Sequence, residues 1–193
     1  MNQKLWEPHL TGNSAIEKLQ AEKGFDSYDQ LHSWSINNPG EFWSQAWNDL
    51  EILGSKGSNF YAQGSDFISS KFFTDARLNV AENLLAKGKD SDIAVVSILE
   101  DGTRSEITWA DLRIKVAATA AAMRAEGVVA GDRVVAWVPN ITETIIYALG
   151  ALSVGAVVST ASPDFAPHAV EDRFGQVEPK IFLAADGYQY NGK

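Results

Sequence analysis

The chain has 193 residues, with 16 Lys+Arg against 25 Asp+Glu and a formal net charge of −9 at pH 7. Hydrophobic residues make up 45% and charged residues 21%, a globular balance with length enough for a buried core, which excludes disordered and collagen-like classes. So acidic a chain lacks the basic face that nucleic acid or an anionic membrane needs, and its zero cysteines exclude disulfides, thiolate metal sites and cysteine nucleophiles.

The opening MNQKLWEPHLTGN has no positive cluster followed by an apolar run, and no stretch reaches the roughly 18 apolar residues of a membrane span. A cytoplasmic protein is expected. Trp6, Trp34, Trp43 and Trp47 all fall in the first fifty residues, whereas Val and Ala dominate after position 90, so two differently built parts are expected, 1–75 and 76–193.

In the first part, Ser14 with Glu17 and Ser27 with Gln30 have capping-box spacing, which predicts helix starts at both. Asn38, Pro39 and Glu41 predict a third, with Phe42, Trp43, Ala46, Trp47 and Leu50 as its helical stripe. That stripe reads as a helical cap packed on a larger body rather than as a ligand box. Residues 54–66 (GSKGSNFYAQGSD) contain one lysine among glycines and serines. A phosphate-binding P-loop would need Gly-Lys-Ser/Thr opening a helix, but Gly57 follows Lys56 here, so a solvated connection is expected.

From Asp92 the pattern turns to short apolar runs. DIAVVSIL (92–99) and ITW (107–109) flank Asp101-Gly102 and predict a hairpin. Thr108 with Asp111 opens an Ala-rich helix that ends near Gly127, and RVVAWV (133–138) reads as a strand. Asn140 with Glu143 is then read as the cap of ITETIIYALGALSVG, followed by AVVST (156–160), a helix near 167–176 and KIFLA (180–184). Strands alternating with helices, and apolar without a polar second face, predict an α/β class with a doubly wound, mostly parallel sheet behind a helical amino-terminal extension.

No Gly-x-Ser-x-Gly, HExxH, EF-hand or Gly-x-Gly-x-x-Gly motif occurs, and His9, His32 and His168 are scattered without metal-ligand spacing. Open α/β sheets bind ligands beyond the carboxyl ends of their strands, which singles out two loops. After AVVST stands Ala161-Ser162-Pro163-Asp164-Phe165, and after KIFLA stand Asp186 to Lys193 with Tyr188 and Tyr190. A rigid proline, an acceptor carboxylate, two tyrosine rings and a cation suit a nucleotide. Ser-Pro-Asp is equally a routine way to begin a helix.

Four blocks carry a resemblance: FFTDARLNVAENLL (72–85), GDRVVAWVPNITETI (131–145), ASPDF (161–165) and RFGQVEPKIFLAADGYQYNGK (173–193). The chain resembles the amino-terminal portion of the acetoacetyl-CoA synthetase family, within the acyl-adenylate-forming superfamily of AMP-dependent synthetases and ligases. The resemblance implies a helical amino-terminal extension over 1–75 and an incomplete adenylate-forming α/β domain over 76–193. It implies a parent enzyme that uses ATP, Mg²⁺ and CoA to turn acetoacetate into acetoacetyl-AMP and then acetoacetyl-CoA. The family's phosphate loop and adenylation lysine correspond to sequence beyond Lys193, so the chain carries no catalytic residue and is expected to be inert alone. The acetyl-CoA relatives have a Phe-Gly-Gly loop beside the CoA nucleotide at the positions of Ser162, Pro163 and Asp164, and arginines at those of Tyr190 and Lys193. This chain departs at all five, so either CoA lies differently or these loops are structural. A ligase for another short acid and a non-catalytic nucleotide- or partner-binding module are the alternatives. If the sheet is incomplete, an unpaired edge or an apolar patch is expected.

Overall fold

The computed structural model describes residue 6, residue 12, residues 14–188 and residue 192. The chain divides into two compact units, Met1–Arg77 and Leu78–Lys193.

Three helices open the first unit. α1 (Ala15–Lys23) carries the full capping box, with Glu17 N donating to Ser14 Oγ at 3.2 Å and Ser14 N to Glu17 Oε2 at 3.0 Å. α2 (Tyr28–Asn37) keeps half of its expected box. Gln30 N donates to Ser27 Oγ at 3.3 Å, but the Gln30 side chain reaches one residue further back and accepts Asp26 N at 2.7 Å. α3 (Pro39–Asp49) has proline in its first turn, yet the Asn38 side chain does not cap it. The Asn38 amide instead donates to Trp34 O at 3.0 Å and closes the end of α2.

The aromatic stripe of α3 pairs with other rings of this unit instead of sinking into aliphatic core. Centroids lie 6.2 Å apart for Trp34–Phe42, 5.8 Å for Trp43–Phe72 and 5.1 Å for Trp47–Phe73. Phe72 belongs to β2 (Lys71–Phe72), which pairs antiparallel with β1 (Tyr61–Ala62). β1 therefore lies within the stretch read as a solvated connection. Lys56 is committed internally, donating to Ser44 O at 2.7 Å and Asn48 Oδ1 at 2.9 Å. The neighbouring amides do cradle an anion, but it is Asp75. Its carboxylate accepts Ser58 N at 2.8 Å, Ser58 Oγ at 3.1 Å and Asn59 N at 3.1 Å, and those bonds hold its pKa below the usual carboxylate range.

The second unit begins with α4 (Val80–Leu85). Asn79 caps it, accepting Ala81 N and Glu82 N, and its amide donates to Leu152 O at 2.8 Å, 73 residues away. β3 (Ile93–Ile98) and β4 (Arg104–Thr108) form the expected antiparallel hairpin, with Gly102 at φ 83°. The second strand starts at 104 rather than 107 because Asp101 Oδ1 accepts Thr103 N at 2.8 Å and closes the turn at once. Trp109 leaves the strand and opens α5 (Trp109–Ala125), where Thr108 Oγ1 accepts Asp111 N at 3.1 Å.

The remaining elements are β5 (Arg133–Trp137), α6 (Thr142–Ser153), β6 (Val157–Ala161), α7 (Pro167–Gly175) and β7 (Ile181–Ala184). The three strands are parallel in the order β6-β5-β7. The chain steps from β5 to one neighbour and then crosses back over β5 to the other, so right-handed crossovers put α6 and α7 on opposite faces. The core shows that alternation. Val134, Ala136 and Val138 pack with Tyr147 and Ala151 of α6, whereas Val135 packs with Val170 and Phe174 of α7. This is the doubly wound arrangement, and it explains why β5 has no polar face.

α6 is apolar around most of its surface because it serves two cores. Tyr147 and Ala151 face the sheet cluster, and Ile146 and Leu149 join Ala81, Ile107, Leu112 and Val116 beneath the hairpin. α5 crosses it so closely that a Cβ on Gly150 would lie 2.6 Å from Thr119 Cγ2. Asn140 is not the cap of α6. Ile141 occupies that position without a side-chain bond, and Thr144 Oγ1 donates to Pro139 O at 2.7 Å to hold the turn. Likewise Ser162-Pro163-Asp164 does not begin α7, whose first residue is Pro167 after Ala166.

The expected open edge is present. Among the described residues β6 and β7 pair only with β5, and Phe182 on β7 is 53% exposed.

Candidate functional site

Parallel register sets where the three loops emerge. Trp137 pairs with Ala161 on one side and Ala184 on the other, so β5, β6 and β7 all end at the same level. The connections from β5 and β6 leave toward opposite faces, which opens a crevice between them beyond the carboxyl ends of the strands. A cleft of about 490 Å³ occupies that place, within the 300–1,000 Å³ range of small-molecule sites. Its walls are Pro139-Asn140-Ile141 after β5, Ser162-Pro163-Asp164 after β6, Gly187 and Tyr188 after β7, and Ile98 to Glu100 at the hairpin end.

One wall is fixed from all three strands. Trp137 Nε1 on β5 donates to Ser162 O at 3.0 Å. Ser162 Oγ donates to Asp164 Oδ2 at 2.9 Å and accepts Asp164 N at 3.3 Å, so the loop folds back on itself. Tyr188, from the loop after β7, donates its hydroxyl to Asp164 Oδ1 at 3.1 Å. The Asp164 carboxylate is thus held by one hydroxyl on each oxygen, and the indole and phenol rings brace the loop that carries it.

The structure brings Ser162, Pro163 and Asp164 to the cleft and adds Tyr188 beside them; Tyr190 and Lys193 lie outside the described residues, as does His9. Reasoning from the sequence missed the loop after β5, because Asn140 reads as a helix cap when it lines the cleft instead. It also missed Glu100, whose place at the rim follows from hairpin packing and has no local signature. His32 and His168 sit on α2 and α7, and among the described residues no group of three His, Cys, Asp or Glu side chains could hold a metal ion. No helix among the described residues is long and apolar enough to cross a membrane.

Comparison with known proteins agrees with this architecture. The family model described as AMP-binding enzyme matches residues 84–192, and that described as Acetyl-coenzyme A synthetase N-terminus matches residues 28–84. The Acetoacetyl-coenzyme A synthetase of Rhizobium meliloti (strain 1021) is 44% identical over 171 residues, covering 89% of this chain and 26% of that protein. The Acetoacetyl-CoA synthetase of Macaca fascicularis is 35% identical across 99% of this chain and 30% of its own length. Among solved structures, an Acetoacetyl-CoA Synthetase from Streptomyces lividans superposes with a TM-score of 0.90 at 32% identity, over 100% of this chain and 31% of that one. The chain therefore spans less than a third of the length of these relatives.

Proposed function

The chain belongs to the AMP-binding enzyme family, and from that premise we propose that it is the amino-terminal part of an ATP-dependent acetoacetate:CoA ligase. In this reading the carboxylate of acetoacetate attacks the α-phosphate of ATP, giving acetoacetyl-AMP and pyrophosphate. The thiol of CoA then attacks the acyl carbon, and AMP leaves as the thioester forms. The observation that carries the reading is similarity to acetoacetyl-CoA synthetases along nearly the whole chain, in sequence and in fold together.

Within the parent enzyme this segment supplies scaffold and one ligand edge. Ser162, Pro163 and Asp164, with Tyr190 and Lys193, are assigned to the CoA nucleotide edge, and no residue of this segment is assigned to bond making or breaking. The described residues offer no cluster of three or more His, Cys, Asp or Glu side chains for the Mg²⁺ that accompanies ATP in such reactions.

The test is ATP–pyrophosphate exchange in the intact protein that carries this segment. Acetoacetate should drive the exchange, and the isolated 193-residue chain should not support it with any acid. Exchange driven equally by acetate or propionate would defeat the substrate assignment, and exchange by the isolated chain would defeat the scaffold assignment. A second reading, a ligase for another short acid, is favoured by one observation: Malonamoyl-CoA synthetase vrtB of Penicillium aethiopicum is 34% identical over 92% of this chain. Strong exchange with a malonate half-amide and none with acetoacetate would select it.

A further inference from the structure

The turn that follows β6 is built to be stiff, and one side chain of the central strand ties it to the core. Phe165 N donates to Ser162 O at 3.1 Å and closes the turn, while Pro163 fixes one of its central φ angles. Trp137 Nε1 donates to the same carbonyl at 3.0 Å and takes its second lone pair. We propose that Trp137 is a positioning residue for the thioester-forming half of the reaction: its indole N–H fixes the Ser162–Asp164 turn in the shape that CoA meets. The proposal rests on the assignment of that turn to the CoA edge and names the side chain that acts through it.

Two observations make Trp137 the strut. Its backbone is held from both sides, since it pairs with Ala161 of β6 and Ala184 of β7 and its carbonyl accepts Ala185 N at 3.1 Å. Its ring packs against the cluster of Val135, Ala161, Val170 and Phe174, so the N–H is aimed from a side chain rooted in the core. Two further holds act on the same turn from other elements. The Tyr188 hydroxyl donates to Asp164 Oδ1 at 3.1 Å, and the Arg173 guanidinium of α7 lies 4.4 Å from the centroid of the Phe165 ring. The turn is gripped from β5, from α7 and from the loop after β7. A turn ordered before its ligand arrives spares the ordering cost of binding, and losing one grip returns that cost when CoA binds. Acetoacetate and ATP react before CoA is consumed, so adenylation carries no share of it.

The experiment measures both half-reactions of the intact protein that carries this segment. Trp137→Phe keeps an aromatic ring and removes the N–H. Its KM for CoA should rise about three- to tenfold, the worth of one hydrogen bond, with turnover at saturating CoA retained. ATP–pyrophosphate exchange with acetoacetate should stay at the unaltered rate. Tyr188→Phe removes the grip on Asp164 and leaves Trp137 in place. It should raise the KM for CoA in the same direction, and it carries the test if the Trp137 variant does not fold. Tyr147→Phe controls for general loosening: Tyr147 donates its hydroxyl to Val135 O at 3.2 Å, so the variant loses a bond to the same strand without touching the turn. Its KM for CoA should not move. Pantetheine, the thiol end of CoA without the nucleotide, gives the second readout, and with it the penalty of Trp137→Phe should vanish.

Exchange that stands while Trp137→Phe and Tyr188→Phe leave the KM for CoA unchanged would overturn the proposal alone. An equal penalty in Tyr147→Phe, or an equal penalty with pantetheine, would overturn it as well. Absence of acetoacetate-driven exchange in the unaltered parent would instead defeat the ligase reading, and the positioning role would fall with it.

Discussion

The two units reach order by different means. In Leu78–Lys193 three clusters of buried aliphatic and aromatic residues lie under the hairpin and on both faces of the parallel sheet. In Met1–Arg77 the described helices bury one residue, Leu31, and the rest of the order comes from partly exposed rings in edge or tilted contact and from side chains tied to backbone groups. The contrast shows what composition does. Val and Ala fill an interior cheaply in conformational terms, whereas Trp and Phe on short helices cover one another's faces while their rims stay wet. The first unit should therefore open more readily than the second.

The largest predicted effect tests that contrast with two aromatic deletions. Phe174 is 6% exposed and packs against Val135, Ala161 and Val170. Phe174→Ala should destabilise the second unit by about 3–5 kcal/mol, the usual range for deleting a buried aromatic. Trp43 is 44% exposed, so Trp43→Ala should cost the first unit about half that or less. Urea denaturation followed by region-resolved hydrogen exchange distinguishes them, and equal losses would erase the contrast.

A smaller loss is expected from the polar device that binds α4 to α5. Arg113 donates from Nε to Leu85 O at 2.8 Å, from Nη2 to Lys87 O at 2.7 Å and Gly88 O at 2.9 Å, and from Nη1 to Asp90 Oδ1 at 2.6 Å. One guanidinium thus satisfies the frayed carbonyls at the end of α4. Arg113→Ala should cost about 2–3 kcal/mol, with several acceptors losing a charged donor at once. Arg113→Lys should recover under half, since a single ammonium cannot span that fork. Recovery to wild-type stability by lysine, measured in the same denaturation series, would mean that charge alone matters there.

Such long-range polar ties mark the limit of what the sequence discloses. The helix starts at Ser14 and Thr108 and the order of strands and helices after 130 are legible because a cap or an apolar run is settled within a few residues. Arg113 reaching Leu85, Asn79 reaching Leu152 and Lys56 reaching α3 leave no local pattern, since each partner is a backbone carbonyl or amide oxygen available anywhere. The same divide runs through the cleft. Ser162 to Asp164 follow from where a parallel sheet binds ligands. The Tyr188–Asp164 bond joins residues whose pairing only the β6-β5-β7 order creates. Asn140 misses because Ile141 occupies the cap of α6 and the Thr144–Pro139 bond holds the turn, whereas α3 does start at Pro39 with Asn38 at the cap position, its side chain turned back to Trp34 O.

The last test returns to the first unit and asks whether its clamps, rather than its rings, set its stability. Asp75 closes the loop at Ser58 and Asn59, and the donated bonds of those residues hold its pKa below the ordinary value. A carboxyl whose folded pKa is depressed stabilises the fold above its unfolded pKa, and that contribution disappears as pH falls through the folded value. Acidification from neutral pH through the region below 4 should therefore weaken the first unit progressively through this group. Asp75→Asn removes the charge at every pH, so the variant should start less stable at pH 7 and show a flatter pH dependence in that region. Gly57 sharpens the point. Its φ is 71°, and a Cβ there would lie 2.4 Å from Asp75 Oδ1, so Gly57→Ala should mimic the loss of the clamp while leaving the carboxylate in place. Melting curves at pH 7 and pH 3 for the three chains decide it. If Asp75→Asn keeps the full acid sensitivity of the unaltered first unit, the clamp contributes nothing and the aromatic pairs carry that unit alone.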